Sequence, residues 1–205
     1  HIVAHGAEWY TSMGTERSPG PRLFSVSGHV RRRGVYELPM GVPLRELIFE
    51  HAGGIRDGHR FKAVIPGGSS VPVLGEQHLD VRMDFESLQQ AGSLLGSAGV
   101  IVMAETTCMV AAALNLLHFY WHESCGKCTP CREGTGWFVK TLHRIEDGHG
   151  RLEDIDLLLD VSDNIKGKTF CPFGDAAVTP VESILKLFRD DFEQHIMQRR
   201  CVAAA

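Results

Sequence analysis

The chain has no long apolar run, no block of like charge and no basic tail. Its most apolar stretch, Val110 to Trp121, is interrupted by Asn115 and His118, and it is far shorter than the roughly 20 residues a bilayer-spanning helix requires. No direct membrane insertion is expected. The formal net charge is −4, so nothing in the composition predicts a nucleic-acid surface. The opening residues, "HIVAHGAEWY", lack the basic region, apolar core and cleavage site of a signal peptide. There is no Walker pattern, no GxGxxG, no Ser/His/Asp order and no paired-carboxylate motif, and internal repeats are not evident. No complete catalyst is legible in this segment.

What is present is enough for packed cores. The 205 residues are 43% hydrophobic, a length and composition that suit one or two small domains. The chain starts without Met, directly in an apolar pattern, so it is expected to begin partway through an element of a longer protein. Residues 1–21 read as the end of a preceding domain plus a linker, "MGTERSPGPR" (Met13–Arg22), rich in turn-forming residues.

A composition shift follows. Leu23–Val30 alternates apolar and small or polar residues as a strand does, "RRRG" (Arg31–Gly34) is a solvated turn, and Val35–Met40 is a second strand completing a hairpin. Pro43–Ala52 carries Leu44, Leu47 and Ile48 on one helical face, with Pro43 in the first turn and Gly53-Gly54 as the stop. Arg60–Gly68 is a third strand whose "IPGGSS" end reads as a plain turn, Asp84–Leu95 a short helix, and Gly99–Ala104 a last buried strand. The predicted fold class is α+β: a small sheet-plus-helix domain over 22–105, then a helical bundle over 106–205. In the bundle four amphipathic stripes follow one another. They run through Cys108, Ala111, Leu114, Leu117 and Trp121; Phe138, Leu142 and Ile145; Leu152, Ile155, Leu159 and Ile165; and Val181 to Ile196, the last opened by Pro180.

Between the first two stripes lies "HESCGKCTPCREGTGW", with Cys125, Cys128 and Cys131 at three-residue spacing. Thiolates gathered at one point repel unless a cation holds them. This C-x2-C-x2-C run is the one that holds irons of a [4Fe–4S] cube in bacterial ferredoxins, where a remote Cys-Pro completes a set. Structural zinc prefers two separated pairs, and the central sulfur of a triple suits a single tetrahedral ion poorly. Cys171, followed by Pro172 in "TFCPFGD" and separated from Cys131 by 39 residues, is the candidate fourth ligand. That length allows the chain to run out one helix and back along another. The [4Fe–4S] reading is preferred; zinc and disulfides are the alternatives. Cys108 reads as buried core on an apolar stripe, and Cys201 as part of a frayed tail. With no export signal, a reducing compartment fits better than secreted disulfides.

The neighbours of the sulfurs fit the cluster reading. Lys127 and Arg132 would offset negative charge on a cluster or stand in solvent, and Gly126 lets the chain turn tightly. His118 and His122 have metal-binding i, i+4 spacing but no third ligand pattern, so hydrogen bonding near the cluster or a core position is the reading for His122. Glu123 could shape local potential or protonation.

"ESCGKCTPCREGTGW" and "TFCPFGDAAVTPVESILKLF" closely resemble the NADH-accepting flavoprotein (51-kDa, or F) subunit of respiratory complex I, over about Glu123 to Phe192. Leu23–Ala104 resembles that family's β-grasp (SLBB-like) domain, and "HIVAHGAEWY" the end of the domain before it. The resemblance implies that Cys125, Cys128, Cys131 and Cys171 are the ligands of a [4Fe–4S] cluster. It implies that NADH gives a hydride to FMN and that electrons pass singly through the cluster towards quinone. It also implies partners in the peripheral arm, notably the small [2Fe–2S] subunit and the large iron–sulfur subunit. The location implied is peripheral, on the cytoplasmic side of an energy-conserving membrane, or the matrix side in a mitochondrion. FMN and NAD(H) are expected mainly outside this chain, because the family's glycine-rich nucleotide segment is absent from it; the chain alone is expected not to oxidise NADH. Phe173-Gly174-Asp175 is a candidate to face the flavin. The competing readings are the diaphorase subunit of an NAD-linked hydrogenase or formate dehydrogenase, and a zinc-stapled interaction module.

Overall fold

The computed structural model describes residues 1–201 and 203. The chain divides into two units, His1–Glu105 and Thr106–Ala205.

The first unit opens with two short helices, α1 (Ile2–His5) and α2 (Ala7–Thr11), and then builds a five-stranded mixed sheet. The strands are β1 (Pro21–Gly28), β2 (Gly34–Pro39), β3 (Phe61–Ile65), β4 (Leu74–Gly75) and β5 (Gly99–Ala104), in the order β2-β1-β5-β3-β4. β1 and β2 form the expected antiparallel hairpin, Phe24 opposite Tyr36. β5 lies parallel to β1 and antiparallel to β3. A parallel neighbour needs a long crossover, and the intervening chain supplies it with helices. This is the β-grasp arrangement, a sheet with its helix packed on one face.

The helix at 43–52 begins as α3 (Leu44–Glu46) and continues as a π-helical turn, Leu47–His51. Leu44, Leu47 and Ile48 are fully buried and join Phe24, Val26, Val100 and Val102 in one core. At about 1.5–3 kcal/mol for each large apolar side chain buried, those three hold the helix to the sheet. Gly28 ends β1 with φ +87°, and a Cβ there would sit 2.1 Å from the Val102 carbonyl oxygen, so only glycine fits where the parallel strand passes. The helix expected over 84–95 is shorter: α4 (Phe85–Gln90), capped by the Asp84 carboxylate accepting from the Ser87 N–H at 2.7 Å. It stops because Gly92 takes φ +79°. β4 has no counterpart among the strands read from the sequence; two residues are too few to show alternation.

The second unit is helical: α5 (Met109–Glu123), α6 (Thr129–Glu146), α7 (Glu153–Ile165), α8 (Phe173–Leu187) and α9 (Arg189–Gln198). Three expectations are corrected. The fourth stripe is two helices broken at Phe188, not one. Pro180 does not open a helix but lies inside α8, which starts immediately after Pro172; the missing N–H is tolerated there, and the Thr179 hydroxyl donates to the Asp175 carbonyl at 2.7 Å. The buried face of α7 is Ile155, Leu158, Val161, Ser162 and Ile165, while Leu152 and Leu159 face outward. Under this unit, Asp154 is fully buried and held by Arg144 and Arg151. Burial alone would raise its carboxyl; the hydrogen bonds from the two arginines outweigh that and hold it below the usual carboxylate range.

Candidate metal centre

Helix α5 ends at Glu123, where Ser124 turns the chain into extended backbone. Gly126 follows at φ +75°, a left-handed conformation that glycine adopts without steric cost. Its N–H faces the Ser124 hydroxyl at 3.4 Å. Cys128 is the N-cap of α6, with Pro130 in the first turn, where a proline's missing N–H costs nothing. Cys131 therefore lies inside α6, in its first turn, rather than in the interhelical loop with Cys125 and Cys128. It is buried, and the Ser124 Oγ lies 3.2 Å from its sulfur.

A second loop, between α7 and α8, brings Cys171. The Asp175 carboxylate accepts from the Gly167 N–H at 2.7 Å, and the Thr169 hydroxyl donates to the Cys171 carbonyl at 2.8 Å. The two loops are tied to each other. The Phe170 N–H donates to the Cys128 sulfur at 3.3 Å, and the Lys127 ammonium sits 4.8 Å from the centre of the Phe170 ring. Arg132 braces the first loop from the other side by donating to the Gly126 carbonyl at 2.6 Å.

Together the loops line a cavity of about 150 Å³ with Cys125, Cys128, Cys131 and Cys171 around it, along with Glu123, Ser124, Thr169, Phe173 and Gly174. All four cysteines named from the sequence meet here, and all six thiols of the chain are free. The residues fit a polynuclear centre. A single tetrahedral zinc ion holds its sulfurs about 3.8 Å apart and needs no cavity among them; these cysteines line one. The donor set is wholly sulfur, the preference of iron–sulfur clusters. Helices α6 and α8 both start at the cavity, and their N-terminal N–H groups favour negative charge there, against the single C-terminus of α5.

The Phe170 N–H carries no signal in the sequence, because its place depends on how two distant loops meet; the Ser124 contact with Cys131 is local but is missed by the sequence reading. Lys127 and Arg132 brace the loops through a ring face and a carbonyl. His118 and His122 do not share a ligand: His118 Nε2 is 2.7 Å from His143 Nε2, and His122 Nδ1 is 2.9 Å from the Glu123 carboxylate. Asp175 is engaged in holding the Cys171 loop, while Phe173 stacks edge-on against Tyr120.

Both units have relatives among known proteins. The iron–sulfur binding region of NADH-ubiquinone oxidoreductase-F matches residues 111–195, and the SLBB domain matches residues 22–102. The second NADH-quinone oxidoreductase F subunit of Rhizobium meliloti (strain 1021) is 54% identical over 201 residues, covering 98% of this chain and 48% of that protein. The NADH-quinone oxidoreductase F subunit of Mycobacterium tuberculosis (strain ATCC 25618 / H37Rv) is 53% identical over 98% of this chain and 45% of its own length. Among solved structures, an NAD+-reducing [NiFe]-hydrogenase in the air-oxidized state superposes with a TM-score of 0.85 at 33% identity, over 95% of this chain and 33% of that one. The chain spans about half the length of the curated relatives it matches. Over nearly its whole length the chain is thus similar to one part of the NADH-quinone oxidoreductase F subunits, and its residues 111–195 match the iron–sulfur binding region of that family.

Proposed function

We propose that Cys125, Cys128, Cys131 and Cys171 ligate a [4Fe–4S] cluster that relays electrons within an NADH:quinone oxidoreductase. The observation that carries this reading is the meeting of four free thiols on one cavity at two helix N-termini. When bound, such a cluster supplies reversible one-electron redox chemistry. This chain's residues do the rest. The four thiolates hold the group, the Phe170 N–H draws charge from the Cys128 sulfur, and the Ser124 hydroxyl does the same at Cys131. Such hydrogen bonds, with the two helix N-termini, favour the more negative, reduced state and raise the potential.

In this reading NADH reduces FMN held mainly by sequence outside this chain, and the relay converts a two-electron donor into single electrons bound for quinone. Residues 1–21 are the end of the preceding domain with a linker, 22–105 the β-grasp domain and 106–205 the cluster bundle. The partners are other peripheral-arm subunits, among them the small [2Fe–2S] and large iron–sulfur subunits, on the cytoplasmic or matrix side of the membrane. No helix of the described residues is long and apolar enough to cross a membrane, which suits a peripheral place. A second reading, the diaphorase part of an NAD-linked hydrogenase, is favoured by the structural likeness; sequence identity of 51–54% to quinone-linked relatives supports the first.

The test uses the full-length protein in its complex. NADH should generate the EPR signal of a reduced [4Fe–4S] centre, whereas the 205-residue chain alone, given FMN and NADH, should not reduce ferricyanide. Robust ferricyanide turnover by the chain alone would overturn the placement of the nucleotide site.

A further inference from the structure

The two cysteines outside the cluster set come together at the opposite end of the bundle. Cys108 is the N-cap of α5, its sulfur accepting from the Ala111 N–H at 3.3 Å. It is therefore a half-buried cap, not a core residue on the α5 stripe. Glu146 is the last residue of α6. His195 lies on α9 and is only 1% exposed. Beyond α9, Arg199 takes a left-handed backbone conformation, φ 53°, and turns the tail so that Cys201 returns to the same place. One ligand atom from each of Cys108, Glu146, His195 and Cys201 lies within 4.8 Å of all the others.

Two distances define the centre of this group. The Cys108 sulfur is 3.8 Å from Glu146 Oε2, and His195 Nε2 is 3.2 Å from the same oxygen. Ligands of a tetrahedral zinc ion, at bond lengths of about 2.0–2.3 Å, stand about 3.3–3.8 Å apart. The set is thus within about 1 Å of zinc geometry. His195 Nε2 is the second observation. It is fully buried yet has no hydrogen-bond partner, since the nearby carboxylate is close without being aligned for a bond. A buried imidazole nitrogen without an aligned hydrogen bond is costly, and this one lies beside two thiols and a carboxylate.

We infer that Cys108, Glu146, His195 and Cys201 form a second metal site, a four-ligand structural zinc site distinct from the cluster cavity. Two sulfurs, one imidazole and one carboxylate fill a tetrahedral shell with no open position, so the ion would staple rather than catalyse. It would tie the C-terminal tail and α9 to the start of α5 and the end of α6. Because α5 and α6 have 15 and 18 residues, the site stands about 22–27 Å along those helices from the cluster cavity. Zinc there would fix the far ends of the two helices that carry the cluster loop. The inference does not rest on the cluster reading, since none of the four residues lines that cavity.

The test is metal analysis of the full chain, produced with zinc in the medium and purified anaerobically. About one zinc per chain is expected, with an X-ray absorption shell of two sulfurs at about 2.3 Å and two nitrogen or oxygen atoms at about 2.0 Å. Zinc occupying the cluster cysteines would instead show a shell of four sulfurs, which overturns the proposal. The Cys108→Ser/Cys201→Ser variant should lose zinc at least about tenfold while keeping its iron and sulfide. A misfolded variant would lose zinc as well, so cobalt(II) loading of the unmutated chain is the independent arm. Tetrahedral cobalt bands with sulfur-to-cobalt charge transfer are expected. Zinc-free chain after incubation with zinc, unchanged zinc in the double variant, or a Cys108–Cys201 disulfide would overturn it.

Discussion

Cys171 is the residue on which the relay reading depends most, because it alone among the four comes from a separate loop. Its carbonyl is held by Thr169, and its loop donates an N–H to Cys128. Cys171→Ala should remove one corner of the ligand set and leave a cluster that is lost or reduced to a three-iron form; an unchanged four-iron EPR signal would remove Cys171 from the site. Its Cys-Pro signature makes it legible in the sequence, as strict spacing does for the triad. The hydrogen bond from Phe170 is not legible, because a contact across 42 residues leaves no periodic trace. Asp154 gives a second test at this scale. Asp154→Asn should cost about 1.5–3 kcal/mol, the worth of hydrogen bonds to a charged group. Because its folded pKa is depressed, Asp154 contributes stability above the ordinary carboxylate range and loses it as pH falls through the folded value. In urea unfolding, the gap between Asp154→Asn and the unmutated chain should therefore be full at neutral pH and close below about pH 4; a gap independent of pH would contradict the assignment.

Among the elements, the strands and helices with strong periodicity are the legible ones. β5 keeps its expected bounds because a fully apolar run of six residues reads as a buried strand, and a helical segment forms over 44–51, near its expected place, because Leu44, Leu47 and Ile48 share one face, although its second half is π-helical. Proline has two outlets in a helical pattern, and Pro180 takes the unexpected one: it suits a helix start, yet Pro172 already fills that role. The break at Phe188 is invisible because apolar spacing continues through it, so two helices read as one. Parallel pairing of β1 with β5 leaves no mark in either strand, since it depends on the crossover between them. Gly28 is where that pairing is most demanding. Gly28→Ala would combine left-handed backbone with a contact against Val102, and should destabilise the first unit by at least about 2 kcal/mol. Thermal unfolding would measure it; an unshifted midpoint would show that β1 can end differently.

In the whole molecule, two units divide the labour. The first is a sheet-and-helix body with a continuous apolar core. The second gathers sulfur at one end of its helices and a mixed Cys/His/Glu set at the other. No glycine-rich nucleotide fingerprint occurs in the 205 residues, and the chain matches only about half the length of its quinone-linked relatives. In the function proposed above, the cysteine spacing marks an electron relay, with FMN and NADH held mainly by sequence outside this chain. The most direct measurement is iron and acid-labile sulfide analysis of anaerobically purified chain, with an EPR spectrum after reduction by dithionite. The prediction is about four iron and four sulfide per chain and a reduced [4Fe–4S] spectrum; zinc at the Cys125, Cys128, Cys131 and Cys171 cavity with neither iron nor sulfide would contradict it.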